Sequence, residues 1–265
     1  MKTISIALLL ATICSIVNAQ QVEGKVIYLR TMQMQITIND NDEMQKMLPK
    51  TRTDKFELAF SNNQSLWKHV DEEEVPDEVN QNGLQIKMMT PGQNDVVFYD
   101  FNKSRRIEQR DIMERKFIVS DSIGKLNWKL TGETQSILGH VCQKATAQRT
   151  GKRMQMNIDN GKMERKEIND TTNMIAWFTT DIPVPAGPEV QGQLPGLILG
   201  LEMNDGRVSY KAIEISPKVD VTTIKEPTKG KKVTAAEFVK EREKMMMERQ
   251  KNNEGSGNRV VRIQD

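Results

Sequence analysis

The sequence predicts a mainly β fold (α+β): an antiparallel meander forming a curved sheet or open barrel, with a C-terminal helix. Three observations predict it. Apolar residues recur at every second position, as in Phe56, Leu58 and Phe60, and a strand sends alternate side chains to opposite faces. Dipeptides suited to tight hairpins, Asn160-Gly161 and Asp205-Gly206, separate such runs. A helical pattern with its own start signal follows only after Lys225.

The first element is a leader. Lys2 supplies a positive start, Ile4 to Val17 is mostly apolar, and Val17-Asn18-Ala19 offers small residues where a signal peptidase reads. Residues 1–19 are therefore expected to be a signal peptide cut after about Ala19. The protein is expected in the periplasm or outer envelope. The run is too short for a permanent span, and no transmembrane segment is expected in the mature chain. Cys14 follows Ile13, where a lipidated cysteine wants a small residue, so a soluble product is favoured. Losing the leader leaves Cys142 as the sole cysteine, and no intramolecular disulfide is expected.

Residues 20–225 read as the β domain. Met32, Met34, Ile36 and Ile38 fall on one face of a strand. Phe56, Leu58 and Phe60 form the next, ending at Ser61-Asn62-Asn63. The stretch 71–95 begins DEEEVPDE and turns rich in Asn, Gln, Gly and Pro, so it reads as a loop. Val97, Tyr99 and Phe101 face one way and Val96 and Phe98 the other, which predicts a strand covered on both sides. Met154, Met156 and Ile158 lead into Asn160-Gly161. Thr150-Gly151 reads as a further turn. Ile175 and Trp177 alternate until Asp181-Ile182-Pro183 halts the strand, and Pro185 and Pro188 keep the chain extended. In Leu194-Pro195-Gly196-Leu197 the Pro-Gly pair predicts a type II turn with Gly196 at positive φ. Leu197, Leu199, Leu201 and Met203 then run to Asp205-Gly206, and Val208, Tyr210 and Ala212 return.

Residues 226–265 read as a linker, a charged Met-rich helix and a disordered tail. Pro227 and KGKK make the linker. Thr234 and Glu237 have capping-box spacing, each satisfying a backbone N–H that the first helical turn leaves unpaired. The helix is expected to reach about Gln250. Its apolar residues, Phe238, Val239 and Met245 to Met247, form a short stripe. RVVRIQD at the end has the pattern of a stray strand.

Charge and chemistry exclude several classes. Lys plus Arg number 38 against 36 Asp plus Glu, and a nucleic-acid partner would want a clear basic excess. No EF-hand spacing, HExxH, GxSxG or P-loop occurs. His140-x-Cys142 is the best soft-ligand pair, since imidazole and thiolate both suit zinc or copper, but two ligands do not make a site. Met32-x-Met34 and Met154-x-Met156 have thioether spacing for copper(I), yet they alternate with Ile in the manner of a core stripe. No cofactor, no metal and no enzyme are expected. Asp121-Ser122-Ile123 and Asp170-Thr171-Thr172 have the form of short O-glycosylation sequons.

The run AWFTTDIPVPAGPEVQGQLPGLILGLEMNDG resembles the GLPGLI family, exported proteins of Bacteroidota named for that signature. The blocks WKLTGETQSILGHVCQKATA, YDFNKSRRIEQRDIMERKFIVSD and EGKVIYLRTM are similar to segments upstream of it, so the likeness covers most of residues 22–225. Gln193 stands where the signature begins with Gly, and His140-Val141 where an aromatic residue is usual. The resemblance implies an exported protein and brings no activity. Leu194, Pro195, Gly196 and Leu197, with Trp177, Asp181, Pro183, Gly187 and Pro188, are expected to form a structural turn that closes or plugs the sheet. The expected function is non-enzymatic binding of an apolar ligand, lipid or peptide by the curved sheet. The alternatives are soft-metal binding and a structural role with an envelope protein partner.

Overall fold

A computed structural model describes residues 21–33, 50–70, 78–81, 84–87, 92–113, 115–159 and 162–254. The strands are β1 Gly24–Gln33, β2 Thr51–Ser61, β3 Gln64–His69, β4 Glu78–Gln81, β5 Leu84–Lys87, β6 Val96–Asp100 and β7 Arg105–Ile112. They continue with β8 Arg115–Ser122, β9 Lys129–Ile137, β10 His140–Asp159, β11 Lys162–Thr179, β12 Leu197–Met203, β13 Val208–Ser216 and β14 Lys231–Thr234. One helix, α1, spans Ala235–Glu254. Twelve strands form one sheet in the order β14-β8-β7-β6-β3-β2-β1-β13-β12-β11-β10-β9, and β4-β5 is a separate pair.

The sheet consists of two antiparallel meanders joined by β1, which pairs with both β2 and β13. The predicted meander is thus present, with one departure: β14 runs parallel to β8. A parallel neighbour requires a crossover. Here the chain leaves β13 at one part of the sheet and crosses a face, where Val219 and Ile224 pack on Ala59, Leu66, Phe98, Ile107 and Ile118. It then enters β14 at the far edge. Last, α1 folds back so that Phe238 and Met245 pack on Phe117, Val119 and Val233. The capping box forms as expected: the Thr234 N–H donates to Glu237 Oε2 at 2.8 Å, and the Glu237 N–H donates to Thr234 Oγ1 at 3.2 Å.

Period two is visible in burial. Val26, Tyr28 and Arg30 of β1 are buried, and Ile27, Leu29 and Thr31 between them only partly so. Phe56, Leu58 and Phe60 join the main core. Phe98 and Tyr99 are both buried, so β6 is covered on both faces. The β2–β3 turn holds Asn62 at φ 51° and Asn63 at φ 58°, the two positive values a type I′ turn needs. In the β12–β13 turn Asn204, Asp205 and Gly206 all have positive φ.

Four expectations differ from the structure. Thr150-Gly151 is no turn: both lie within β10, opposite Thr171 and Asp170, because a continuous ladder with β11 holds them extended. The stretch 71–95 contains the β4–β5 pair. The linker ends early, since Lys231–Thr234 finds an open edge on β8. The type II turn at Pro195-Gly196 does not form, for the reason given below. Residues 34–38, Asn160-Gly161, 1–20 and 255–265 lie outside the described residues.

β10 and β11 outrun their neighbours. β9 pairs with β10 only as far as Thr146, and β12 meets β11 only from Met174. Among the described residues, 147–159 and 162–172 form ladder pairs only with each other, as a two-stranded ribbon.

Candidate functional site

The stretch 180–196 between β11 and β12 lies over the inner face of the sheet. Its prolines remove backbone donors, so it cannot continue as a ladder strand. It satisfies itself by tight turns: the Val184 N–H donates to Ile182 O at 2.8 Å and the Ala186 N–H to Val184 O at 2.7 Å. It is tied to β12 by Leu197 N–H to Ile182 O at 3.1 Å and Ile198 N–H to Ala186 O at 2.9 Å. Ile182, Val184, Ala186, Val190 and Leu194 are all buried in the main core, with Tyr28, Phe56, Phe178 and Leu201. The loop thus covers this face with its own apolar side chains.

Each predicted signature residue has a definite place. Leu194 and Leu197 are buried and Pro195 is exposed. Gly196 is required for contact rather than for a turn: its φ is not in the left-handed region, and a Cβ there would lie 2.0 Å from the Thr179 carbonyl oxygen. The left-handed turn occurs upstream, with Glu189 at φ 57° and Gly192 at φ 77°. Gly187 and Pro188 are buried, and a Cβ on Gly187 would meet Ile198 Cβ at 2.6 Å. Pro183 is exposed. Trp177 packs beside Gly200 and lies under the Lys144 ammonium, 5.7 Å from its ring centre. Asp181 Oδ2 lies 3.2 Å from His140 Nδ1, which ties the loop to the start of β10. Gln193 accepts from the Leu126 N–H at 2.9 Å and from Trp128 Nε1 at 3.1 Å, so the loop also holds the segment before β9.

The structure also assembles a charged network that sequence reading missed. Arg30 stacks on Phe56 at 4.5 Å and donates to Asp54 Oδ2 at 3.0 Å. Arg52 donates to Asp54 Oδ1 at 3.2 Å. Arg30 also bonds the Tyr210 hydroxyl, which donates to Glu189 Oε1 at 2.8 Å. Further along, Arg106 and Arg110 both pair with the buried Glu108, and Arg110 reaches Asp95 at 3.4 Å. Gln191 accepts from the Ser65 hydroxyl at 2.5 Å, with both side chains buried. One signal was available: Arg30 shares the period-two face of Val26 and Tyr28, where a charge needs a partner.

Burial raises several pKa values in this part of the fold. Burial pushes the Cys142 thiol up to about 11, so thiolate is scarce at neutral pH. Burial likewise raises Tyr28, Tyr99 and Tyr210. Asp95 is raised by burial, with Arg110 opposing. His140 and Cys142 do not converge: the imidazole faces Asp181, while the thiol is buried and turns to the His140 carbonyl oxygen at 3.7 Å. Among the described residues no three His, Cys, Asp or Glu side chains gather as a metal site would need. No described helix is long and apolar enough to cross a membrane.

A family model described as a protein of unknown function (Porph_ging) matches residues 128–200. No curated protein matches. Two solved structures of PNGF-II, in space groups P21 and C2, each share 16% identity with this chain and cover 82% of it. Their TM-scores are 0.47 and 0.49, and the chain spans 32% of the length of each. The match to the family of unknown function thus runs from Trp128 to Gly200, taking in β9, β10, β11, the whole plugging loop and the start of β12.

Proposed function

We propose that this chain is an exported, non-enzymatic envelope protein of the GLPGLI family that binds an extended peptide or protein segment along the free edge of its sheet. One observation carries the choice of ligand: the loop 180–196 buries its apolar residues against the inner face, so that face is occupied by the chain itself. A lipid would have to displace Ile182, Val184 and Leu194. The edge offers an alternative. β9 ends the sheet and is exposed at every residue but Ile137. Leu130 on β9, Leu138 in the β9–β10 turn and Val141 at the start of β10 are 63%, 47% and 62% exposed. An open edge supplies backbone donors and acceptors, and exposed apolar side chains supply selectivity, which is how strand addition captures peptides.

Retention of envelope proteins by wild type and by Leu130→Asp/Val141→Asp tests the reading. Both positions are well exposed, so the thermal midpoint should hold within a few degrees while retention falls at least tenfold. Equal retention by the double variant contradicts edge binding.

A further inference from the structure

We propose that the cleft between β14 and α1 is a binding site for a phosphate-bearing anion. The cleft measures about 330 Å³ and is lined by Lys231, Lys232, Val233, Glu237, Lys240, Glu241 and Lys244. Arg115 of β8 also stands close by, acting on Glu241. A chain whose formal net charge is only +2 therefore gathers five cations around two carboxylates at this one edge.

The two carboxylates are already committed. Glu237 closes the helix cap by accepting from Thr234, and Glu241 accepts from Lys231 Nζ at 2.5 Å. The Thr234 bonds lower the pKa of Glu237 and the Lys231 bond that of Glu241, so both stay ionised and engaged. Among the described residues Lys232, Lys240 and Lys244 form no ion pair within 4 Å, while Lys240 acts on Glu237 and Lys244 on Glu241 over a longer range. Lys240 and Lys244 are one helical turn apart, where like charges repel, and an anion between them relieves that repulsion. Ammonium groups act as compact point charges with three donors each, which suits a multiply charged phosphate better than a single planar carboxylate. The volume admits a group larger than bare phosphate, such as a diphosphate or a phosphate-bearing headgroup. The competing reading is that lysines on an edge strand only deter pairing with other chains. That reading requires no saturable ligand.

Titration calorimetry of the full chain with inorganic pyrophosphate decides between them. The proposal expects saturable binding that weakens with salt. It also expects at least a tenfold loss of affinity in Lys232→Gln/Lys240→Gln/Lys244→Gln. Lys211→Gln/Lys218→Gln, away from the cleft, should bind as wild type. Unchanged helical circular dichroism of the triple variant guards against a folding defect. Absence of saturable binding, or equal affinity in the triple variant, overturns the site. Where pyrophosphate binds, competition by vesicles of phosphatidylglycerol and phosphatidylcholine identifies a lipid headgroup as the source. Lack of competition identifies a soluble phosphate.

Discussion

Gly196, Gln193 and Cys142 each make a different physical demand on the same loop and strand. Gly196 has backbone where any other residue has Cβ, with the Thr179 carbonyl 2.0 Å from that position. Gly196→Ala must push two backbone segments apart, and we expect a loss of about 3 kcal/mol in urea unfolding. Gly151→Ala is the control: a Cβ there meets nothing within 4 Å, and the change should stay within about 0.5 kcal/mol. Gln193→Gly would match the first position of the signature the sequence resembles, but it deletes the acceptor shared by Leu126 and Trp128. We expect about 1–2 kcal/mol of destabilisation and a shift in tryptophan emission. Cys142 yields a pH prediction. Its folded pKa of about 11 lies above the ordinary value of 9.0, so the unfolded chain releases the proton first as pH rises. Its contribution to stability is complete below about pH 9 and is lost as pH rises through about 11. Unfolding at pH 8 and pH 10 should show a steeper fall for wild type than for Cys142→Ala. Parallel slopes would contradict the burial argument.

At the scale of elements, α1 is held by few contacts. Phe238 meets Phe117 at 5.6 Å between ring centres, and Met245 is the other buried anchor. Phe238→Ala should free the helix at a cost of about 3 kcal/mol in local opening. Hydrogen exchange should then rise across α1 and β14 and stay unchanged in β1 and β2. Equal acceleration in β1 would contradict a locally docked helix. This helix was legible because its start signal is local: Thr234 and Glu237 are three residues apart, and both do what their spacing implies. The hairpin at Asn62-Asn63 was legible for the same reason. The parallel placement of β14 was not, because only a distant edge on β8 decides it. Thr150-Gly151 misled because a turn-prone pair was judged without its partners on β11. Pro195-Gly196 misled in a third way. The dipeptide does suit a type II turn, but Gly196 answers to a carbonyl 17 residues away in sequence, which no local rule reads. The Arg30–Asp54 pair and the Tyr210–Glu189 bond were hidden likewise, being joined across strands and a loop.

At the scale of the molecule, the chain covers both faces of its sheet with its own segments. The loop 180–196 fills the inner face, the crossing after β13 covers part of the other, and α1 clasps one end. Among the described residues, what remains open lies at the margins: the β9 edge and the ribbon of β10 and β11 beyond Thr146 and Met174. A two-stranded ribbon is marginal in water on its own, so its amides should exchange faster than those of 143–146. The same family match that spans the plug spans these open strands. The central claim is that the inner face is closed by the chain itself and that binding occurs at the edge. Native mass spectrometry of the protein gently isolated from the cells that make it tests this most directly. The bare polypeptide is expected, or the polypeptide with added peptide or protein mass that is lost in Leu130→Asp/Val141→Asp. A retained lipid mass that survives both that double substitution and Lys232→Gln/Lys240→Gln/Lys244→Gln would contradict that claim.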